Sequence, residues 1–169
     1  SEVLVNERLL QEAIRFNAYY NQTASELLSE PMNTLSPQEQ WNMLSNFKRE
    51  SSIAQSLHRP TKLEILHKIA EAKDQTVEDL LQTWEAQLHA LPLEEQIQTI
   101  TENPAMYYFS ALEHLRWNNF HYMRDFIFSP IKDLKNKQHD CLIDDWDEFL
   151  SGPQRDKMIY DFISVLALK

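Results

Sequence analysis

The sequence predicts an all-α protein, a helical bundle of about six to eight helices with one long irregular loop near residues 127–145 that has room for a short β-hairpin. Three observations carry this expectation. Apolar residues recur at spacings of three and four along most of the chain, the period of an amphipathic helix. Capping residues followed by proline or by an acidic residue three positions on punctuate those stripes. Only one glycine, Gly152, occurs among 169 residues, and the tight turns of hairpins and nucleotide loops favour glycine for its positive φ.

The elements follow in order. Residues 2–29 carry Leu9, Ile14, Phe16, Tyr20, Leu27 and Leu28 without a breaker and read as one long helix. Pro31 and the stretch Asn33-Thr34-Leu35-Ser36-Pro37 end it. Ser36 is the expected N-cap of a second helix, with Pro37 at its first position and Glu39 completing a capping box. That helix is expected to run through Trp41, Leu44, Phe47 and Ile53 to Arg59, where Pro60 interrupts it and starts a short one through Ile69. Thr76 and Asp79 form another capping box for Val77 to His89, and a shorter helix follows Pro92 from Leu93 to Thr101. Asn103 or Pro104 then opens a helix to Phe126. The charged stretch 127–145 reads as the loop, and loops of that length are commonly functional. A turn at Trp146 to Leu150, the break at Ser151-Gly152-Pro153 and a helix from Gln154 to Leu166 close the chain. Residues 1–35 form an N-terminal extension and 36–169 the main domain, together one compact body.

Composition narrows the function classes. Hydrophobic residues make up 43% of the chain, enough for a core without metals or disulfides. With a single glycine, P-loop, dinucleotide-fingerprint and kinase-type loops are excluded within this chain. Sixteen basic against 26 acidic residues leave a net charge of −10, which argues against nucleic acid as a partner, since duplexes are bound mainly through basic surfaces. Cys141 is the single cysteine, so no internal disulfide or CxxC zinc pair exists, and a reducing, cytoplasmic compartment is expected. No apolar run approaches the ~20 residues of a membrane span. The chain opens on Ser1 rather than Met and reads as a piece of a longer protein.

The helix 104–126 holds the residues of greatest chemical interest. His114, Trp117 and His121 are spaced by three and four and share one face. An imidazole beside an indole offers a stacking surface with a polar handle, suited to a flat heterocycle. On spacing alone the commoner case is a core indole and an imidazole bonded to a backbone carbonyl. A shared metal is not expected: His114 and His121 lie two turns apart, roughly 10 Å along the axis. In the second helix Arg49, Ser52 and Gln55 project together and could hold a phosphate or ribose, although such runs are usually a solvated face. The loop carries Lys132, Lys135, Lys137 and His139, a local positive charge in an acidic chain that would suit an anion-binding lid. No nucleophile elbow is present, and Cys141 has only His139 close in sequence, without a third group, so no catalytic residue is expected. The acidic pairs Asp144-Asp145 and Asp147-Glu148 read as helix caps.

Taken together, these segments resemble the RyR domain, the repeat of ryanodine receptors that also occurs in many prokaryotic proteins. Glu113-His114-Leu115-Arg116-Trp117-Asn118 is similar to the family's Glu-His-x-Arg-Trp helix. Phe126-Ile127-Phe128-Ser129-Pro130-Ile131-Lys132-Asp133 resembles its aromatic-x-aromatic-Gly-Pro-x-basic-Asp turn. His139-Asp140-Cys141-Leu142-Ile143 with Trp146-Asp147-Glu148-Phe149 resembles its His-Pro-x-Leu-Val and Trp-Asp-Glu-Leu elements, and Arg49, Ser51, Lys62 and Leu63 resemble the prokaryotic upstream pattern. The likeness runs from about Trp41 to the C-terminus, roughly three-quarters of the chain by the prokaryotic-type pattern. Asp125 and Ser129 stand where the family usually has glycine, and Asp140 where it has proline.

The resemblance implies a small helical module of paired helices, without catalytic activity or cofactor, attached to a larger transport or signalling protein and sensing a ligand. It implies that His114 and Trp117 line a cleft for an adenine nucleotide or another aromatic small molecule. His121, Arg49, Ser52, Lys132, Lys135 and His139 are the expected supporting contacts. The competing expectation is a protein-interaction or structural module, a homodimer interface or appendage, with Phe16, Tyr19 and Tyr20 of the first helix as its contact patch.

Overall fold

A computed structural model describes residues 2–169. It is all-helical apart from one minimal sheet. The elements are α1 (Glu2–Leu28), α2 (Pro37–Asn42), α3 (Asn46–Ala72), α4 (Val77–Leu88), α5 (Leu93–Glu102), α6 (Pro104–Tyr122), β1 (Ile127–Phe128), β2 (Gln138–His139), α7 (Trp146–Ser151), a 3-10 turn (Arg155–Lys157) and α8 (Met158–Leu166). No helix among the described residues is long and apolar enough to cross a membrane. The chain forms two compact units, residues 1–90 with 166–169, and residues 91–165. Residues 1–35 thus share a unit with α2, α3 and α4.

In the first unit α1 packs on α2 and α3, and α3 on α4. Ala13, Ile14 and Trp41 are buried together, with Leu44 and Ile53 against them. Leu66, Leu80, Leu81, Trp84 and Leu88 are buried as well. Phe16, Tyr19 and Tyr20 are each half-buried rather than a fully exposed patch. The helix expected from Pro37 to Arg59 breaks after Asn42, because Ser45 adopts an extended backbone and accepts the Lys48 N–H at 3.3 Å, starting a new helix. That helix, α3, continues through Pro60 instead of stopping there. A proline inside a helix forfeits one backbone hydrogen bond and costs about 3 kcal/mol. Here the ring lies on the exposed side, while Ser52, Gln55 and Ser56 before it and Lys62, Leu66 and Ala70 after it are buried, so packing on both halves keeps the helix continuous.

In the second unit α5 packs on α6, and the 3-10 turn on α5 and α7. Ile97, Ile100, Met106, Phe109, Phe149, Met158 and Phe162 are buried in that unit. Asn103 caps α6 by accepting N–H bonds from Ala105 and Met106 at 3.0 and 3.1 Å. The helix ends at Tyr122, four residues short of the expected Phe126. Asp125 takes a left-handed backbone, φ 67°, and the Phe126 N–H reaches back to the His121 carbonyl at 3.1 Å. This is a helix-ending motif that ordinarily uses glycine. β1 and β2 pair in parallel, with Ile127 opposite Gln138 and Phe128 opposite His139, and an antiparallel bridge between Asp133 and Gln138 closes the tip. Asp145 caps α7 as its sequence suggests, accepting the Glu148 N–H at 3.0 Å. The closing helix begins as the 3-10 turn at Arg155 and becomes α-helical at Met158.

A histidine and tryptophan cluster as the candidate functional site

The chemistry of the second unit gathers along α6. His114 is buried, its Nδ1 3.1 Å from Asp161 Oδ2 and its Nε2 3.1 Å from the Ile143 carbonyl. A carbonyl can only accept, so Nε2 carries a proton. The pair therefore holds either an imidazolium facing a carboxylate or a neutral imidazole accepting from a carboxylic acid. Burial works to lower the His114 pKa, but the Asp161 hydrogen bond and charge, with the Ile143 and Cys141 carbonyls, raise it above the ordinary value. Burial pushes Asp161 up to about 6 despite the opposing pull of His114. A His–Asp pair suggests a catalytic dyad, but here the outer nitrogen is occupied by a backbone carbonyl instead of a nucleophile. The pair ties α6 to α8 and to the segment before α7.

Around it lies a layer of aromatic rings. Phe149 and Trp146 sit 4.3 and 5.3 Å from the His114 ring centroid, and the two are stacked on each other at 5.5 Å. Trp117, half-buried, is the centre of a second group. Its ring lies 3.9 Å from that of His121, 4.7 Å edge-on from His139 and 5.9 Å from His114.

His121 Nδ1 donates to the Trp117 carbonyl at 2.8 Å, while His139 Nδ1 accepts the Cys141 N–H at 3.0 Å. Burial lowers both imidazoles to about 4, aided at His139 by the Lys132 charge. Both are therefore neutral near neutral pH. Although His139 Nδ1 lies 3.3 Å from Asp140 Oδ1, this contact is not an ion pair, because that nitrogen is the acceptor of an amide.

Polar ties hold the surrounding backbone. Asn118 donates to the Ile143 carbonyl and to Asp144 at 3.1 and 2.9 Å, and Tyr122 also donates to Asp144 at 2.9 Å. Tyr107 donates to Asp147 at 2.7 Å. Asp144 thus fastens the segment before α7 to α6 rather than capping a helix, while Asp147, in the first turn of α7 beside Glu148 where negative charge is favoured, also ties that turn to α6. Glu113 and Arg116 form a buried ion pair with three contacts of 2.8–3.0 Å.

Six of the expected site residues, His114, Trp117, His121, Lys132, Lys135 and His139, belong to this unit; Arg49 and Ser52 belong to the first. The structure brings Trp117, His121 and His139 together. Lys132 and Lys135 are exposed, with Lys132 close enough to His139 to act on its charge. His114 has both nitrogens engaged internally, so a ligand could bond it only by displacing Asp161 or the Ile143 carbonyl. Arg49 donates to the Trp41 and Asn42 carbonyls at 3.1 and 2.9 Å and fastens the end of α2 to α3. Ser52 is buried, and its carbonyl accepts from the Ser56 hydroxyl at 3.4 Å.

Sequence reasoning missed Asp161. Its signal was available: a lone carboxylate in the apolar run Met158-Ile159-Tyr160-Asp161-Phe162-Ile163, where a charge needs a partner.

Donor atoms of His139, Asp140 and Cys141 lie within 4.8 Å of one another. An ion there would have to take the Nδ1 lone pair from the Cys141 amide. Burial also pushes the Cys141 thiol up to about 12, which keeps it protonated and unreactive as a nucleophile. Against known protein families, curated proteins and solved structures, the chain shows no significant match.

Proposed function

We propose that the chain is a non-catalytic ligand-sensing module of the RyR-domain type, cytoplasmic and part of a larger protein, that binds an adenine-nucleotide-like molecule at the Trp117 cluster. The observation that carries this reading is the half-buried Trp117 ring, in contact with the neutral imidazoles of His121 and His139 beside the lysine-bearing loop. A base would stack on Trp117, an interaction worth roughly 1–3 kcal/mol. His139 would offer a hydrogen bond, and Lys132 and Lys135 would meet the phosphate through charge-assisted bonds. His114 acts here as a positioning residue that fixes α6 against the segment 143–149. The resemblance rests on the ordered motifs of α6, the 126–133 turn and the 139–149 segment.

The test is a thermal-shift screen with ATP, ADP, AMP and ADP-ribose, repeated on Trp117→Ala. A ligand at 100 times its dissociation constant stabilises by about 2.7 kcal/mol, and the shift is expected to vanish in the variant. Because Trp41 and Trp84 are buried, nucleotide quenching of fluorescence reports on Trp117 and Trp146. Binding that survives Trp117→Ala undiminished rejects the assignment. No shift with any of the four favours the second reading, a protein-interaction module. That reading draws on the start of α1, where Val3 and Val5 are 66% and 57% exposed.

A further inference from the structure

The loop between β1 and β2 has a property that the ligand reading does not use. Ile127, Phe128, Ile131 and Leu134 are 59%, 49%, 76% and 53% exposed, and Met123 just before them is 82% exposed. Exposed apolar side chains at this density mark a contact surface. Interleaved with them are Lys132, Lys135 and Lys137, opposed within residues 127–139 by Asp133 and at the base of the loop by the exposed Asp125, 4.0 Å from the Lys137 ammonium group, in a chain of net charge −10.

The loop is also closed upon itself. Ile127 and Ser129 donate their N–H groups to the Lys137 and His139 carbonyls, at 2.9 and 3.2 Å. Asp133 and Gln138 exchange bonds of 3.0 and 2.9 Å, and Lys137 donates to the Leu134 carbonyl. Side chains take two more amides: Ile131 donates to Ser129 Oγ and Asn136 to Asp133 Oδ1. Pro130 has no N–H to satisfy. More than half of the loop's backbone donors are thus bonded internally, which lowers the cost of placing the tip at the headgroup boundary, where water still reaches the remaining amides.

We infer that this loop docks on an anionic phospholipid bilayer, with Ile131, Leu134 and Phe128 entering the headgroup boundary and Lys135 and Lys137 meeting lipid phosphates. The patch holds Phe128 and Met123, but lysines, which protein interfaces avoid, alternate with Ile131 and Leu134 at its tip, a pattern that matches a lipid phosphate layer. Long lysine stems lie along apolar surface and keep their ammonium groups at the phosphate level. The attachment is peripheral, since no helix among the described residues is long and apolar enough to cross a membrane. The acidic remainder of the chain is repelled by an anionic surface, so binding is loop-first and falls with salt.

The experiment is co-sedimentation of the full chain with vesicles of phosphatidylcholine alone, or of phosphatidylcholine with one-third phosphatidylserine, at low and high salt. The wild type is expected to sediment with the phosphatidylserine vesicles, less with phosphatidylcholine and less at high salt. Ile131→Ser/Leu134→Ser is expected to lose the binding with an unchanged circular dichroism spectrum, since both side chains are exposed. Lys135→Gln/Lys137→Gln is expected to weaken it by roughly tenfold or more. Trp117→Ala is expected to bind vesicles like the wild type, which separates membrane docking from base stacking even though Lys135 serves both readings. Failure of the wild type to sediment with phosphatidylserine vesicles, or wild-type binding by either double variant, overturns the inference.

Discussion

His121 and His139 show what one side chain's surroundings do to its chemistry. Both are held at about 4 by burial, below the ordinary 6.5. The unfolded chain takes up protons at these sites near 6.5 and the folded chain does not. Their contribution to stability is therefore full above 6.5 and lost as pH falls through about 4. Asp161 runs the other way. Burial raises it from 3.8 to about 6, so its contribution is full below 3.8 and lost as pH rises through about 6. Between 6 and 4 two imidazoles oppose one carboxyl, and the wild type is expected to weaken on acidification. His139→Gln leaves one against one, and its urea midpoint should be much flatter across that window. An unchanged slope would mean that His139 titrates near its ordinary value. His114, raised above 6.5, adds stability that declines only as pH rises beyond that value. The shared face of His114, Trp117 and His121 was legible from spacing. That a backbone carbonyl holds His114 was the commoner expectation from spacing; its second partner was not legible, because Asp161 lies 47 residues away and no local pattern encodes that distance.

Helix ends are where this chain departs most from its own sequence signals. Most starts were legible, with Ser36, Thr76 and Asn103 capping as their spacing implies, whereas the Ser45 cap of α3 was not. The stops at Leu28, Leu88, Glu102 and Leu166 fall within a residue of expectation, but α2 and α6 end well short of the expected Arg59 and Phe126. The turns after α1, α3, α4 and α6 use left-handed residues that are not glycine, Ser29, Asp74, Ala90 and Asp125, as does Lys137 in the β1–β2 loop, all with φ between 53° and 69°, while Gly152 has φ −93°. The scarcity of glycine therefore does not bar positive φ here; the chain adopts it with strain. Asp tolerates the region better than most, but Ala90, at φ 69°, has no polar side chain to compensate. A left-handed alanine costs about 1–2 kcal/mol, and glycine gives back about 0.5–1 kcal/mol through the greater freedom of its unfolded chain. Ala90→Gly is thus expected to stabilise by roughly 0.5–1 kcal/mol, read as a raised thermal midpoint. A lowered midpoint would show that the Ala90 methyl group packs well enough to outweigh the strain. Pro60 carries the same lesson from the other side. Its local signal says stop, yet the buried residues flanking it decide for continuation, and only the tertiary structure reveals which of the two effects is larger.

Across the whole molecule, the helical class followed from periodicity, but the division into two units did not. Helical spacing says which face of each helix is buried and nothing about which helices bury it together. The first unit is discontinuous: the chain leaves it at Ala90 and returns at Leu166. Residues 166–169 are small in number but tightly held. Leu166 and Leu168 are buried, the Leu168 carbonyl accepts from Arg59 at 3.2 Å, and the Lys169 ammonium group pairs with Glu85. Leu168→Ala therefore removes packing far along the sequence from the helices it stabilises. A buried Leu→Ala change costs about 2–5 kcal/mol, a large share of the 5–15 kcal/mol typical of a whole domain. For a chain of this size the thermal midpoint should fall by about 2–4 °C for each kcal/mol lost. Hydrogen exchange should locate the damage. Amides of α3 near Arg59 and of α4 near Glu85 are expected to lose protection, because both helices are held by the returning segment. A fall of less than about 1 kcal/mol, with α3 and α4 still protected, would place the stability of the first unit in α1–α4 alone and leave the last four residues as a passive continuation of α8.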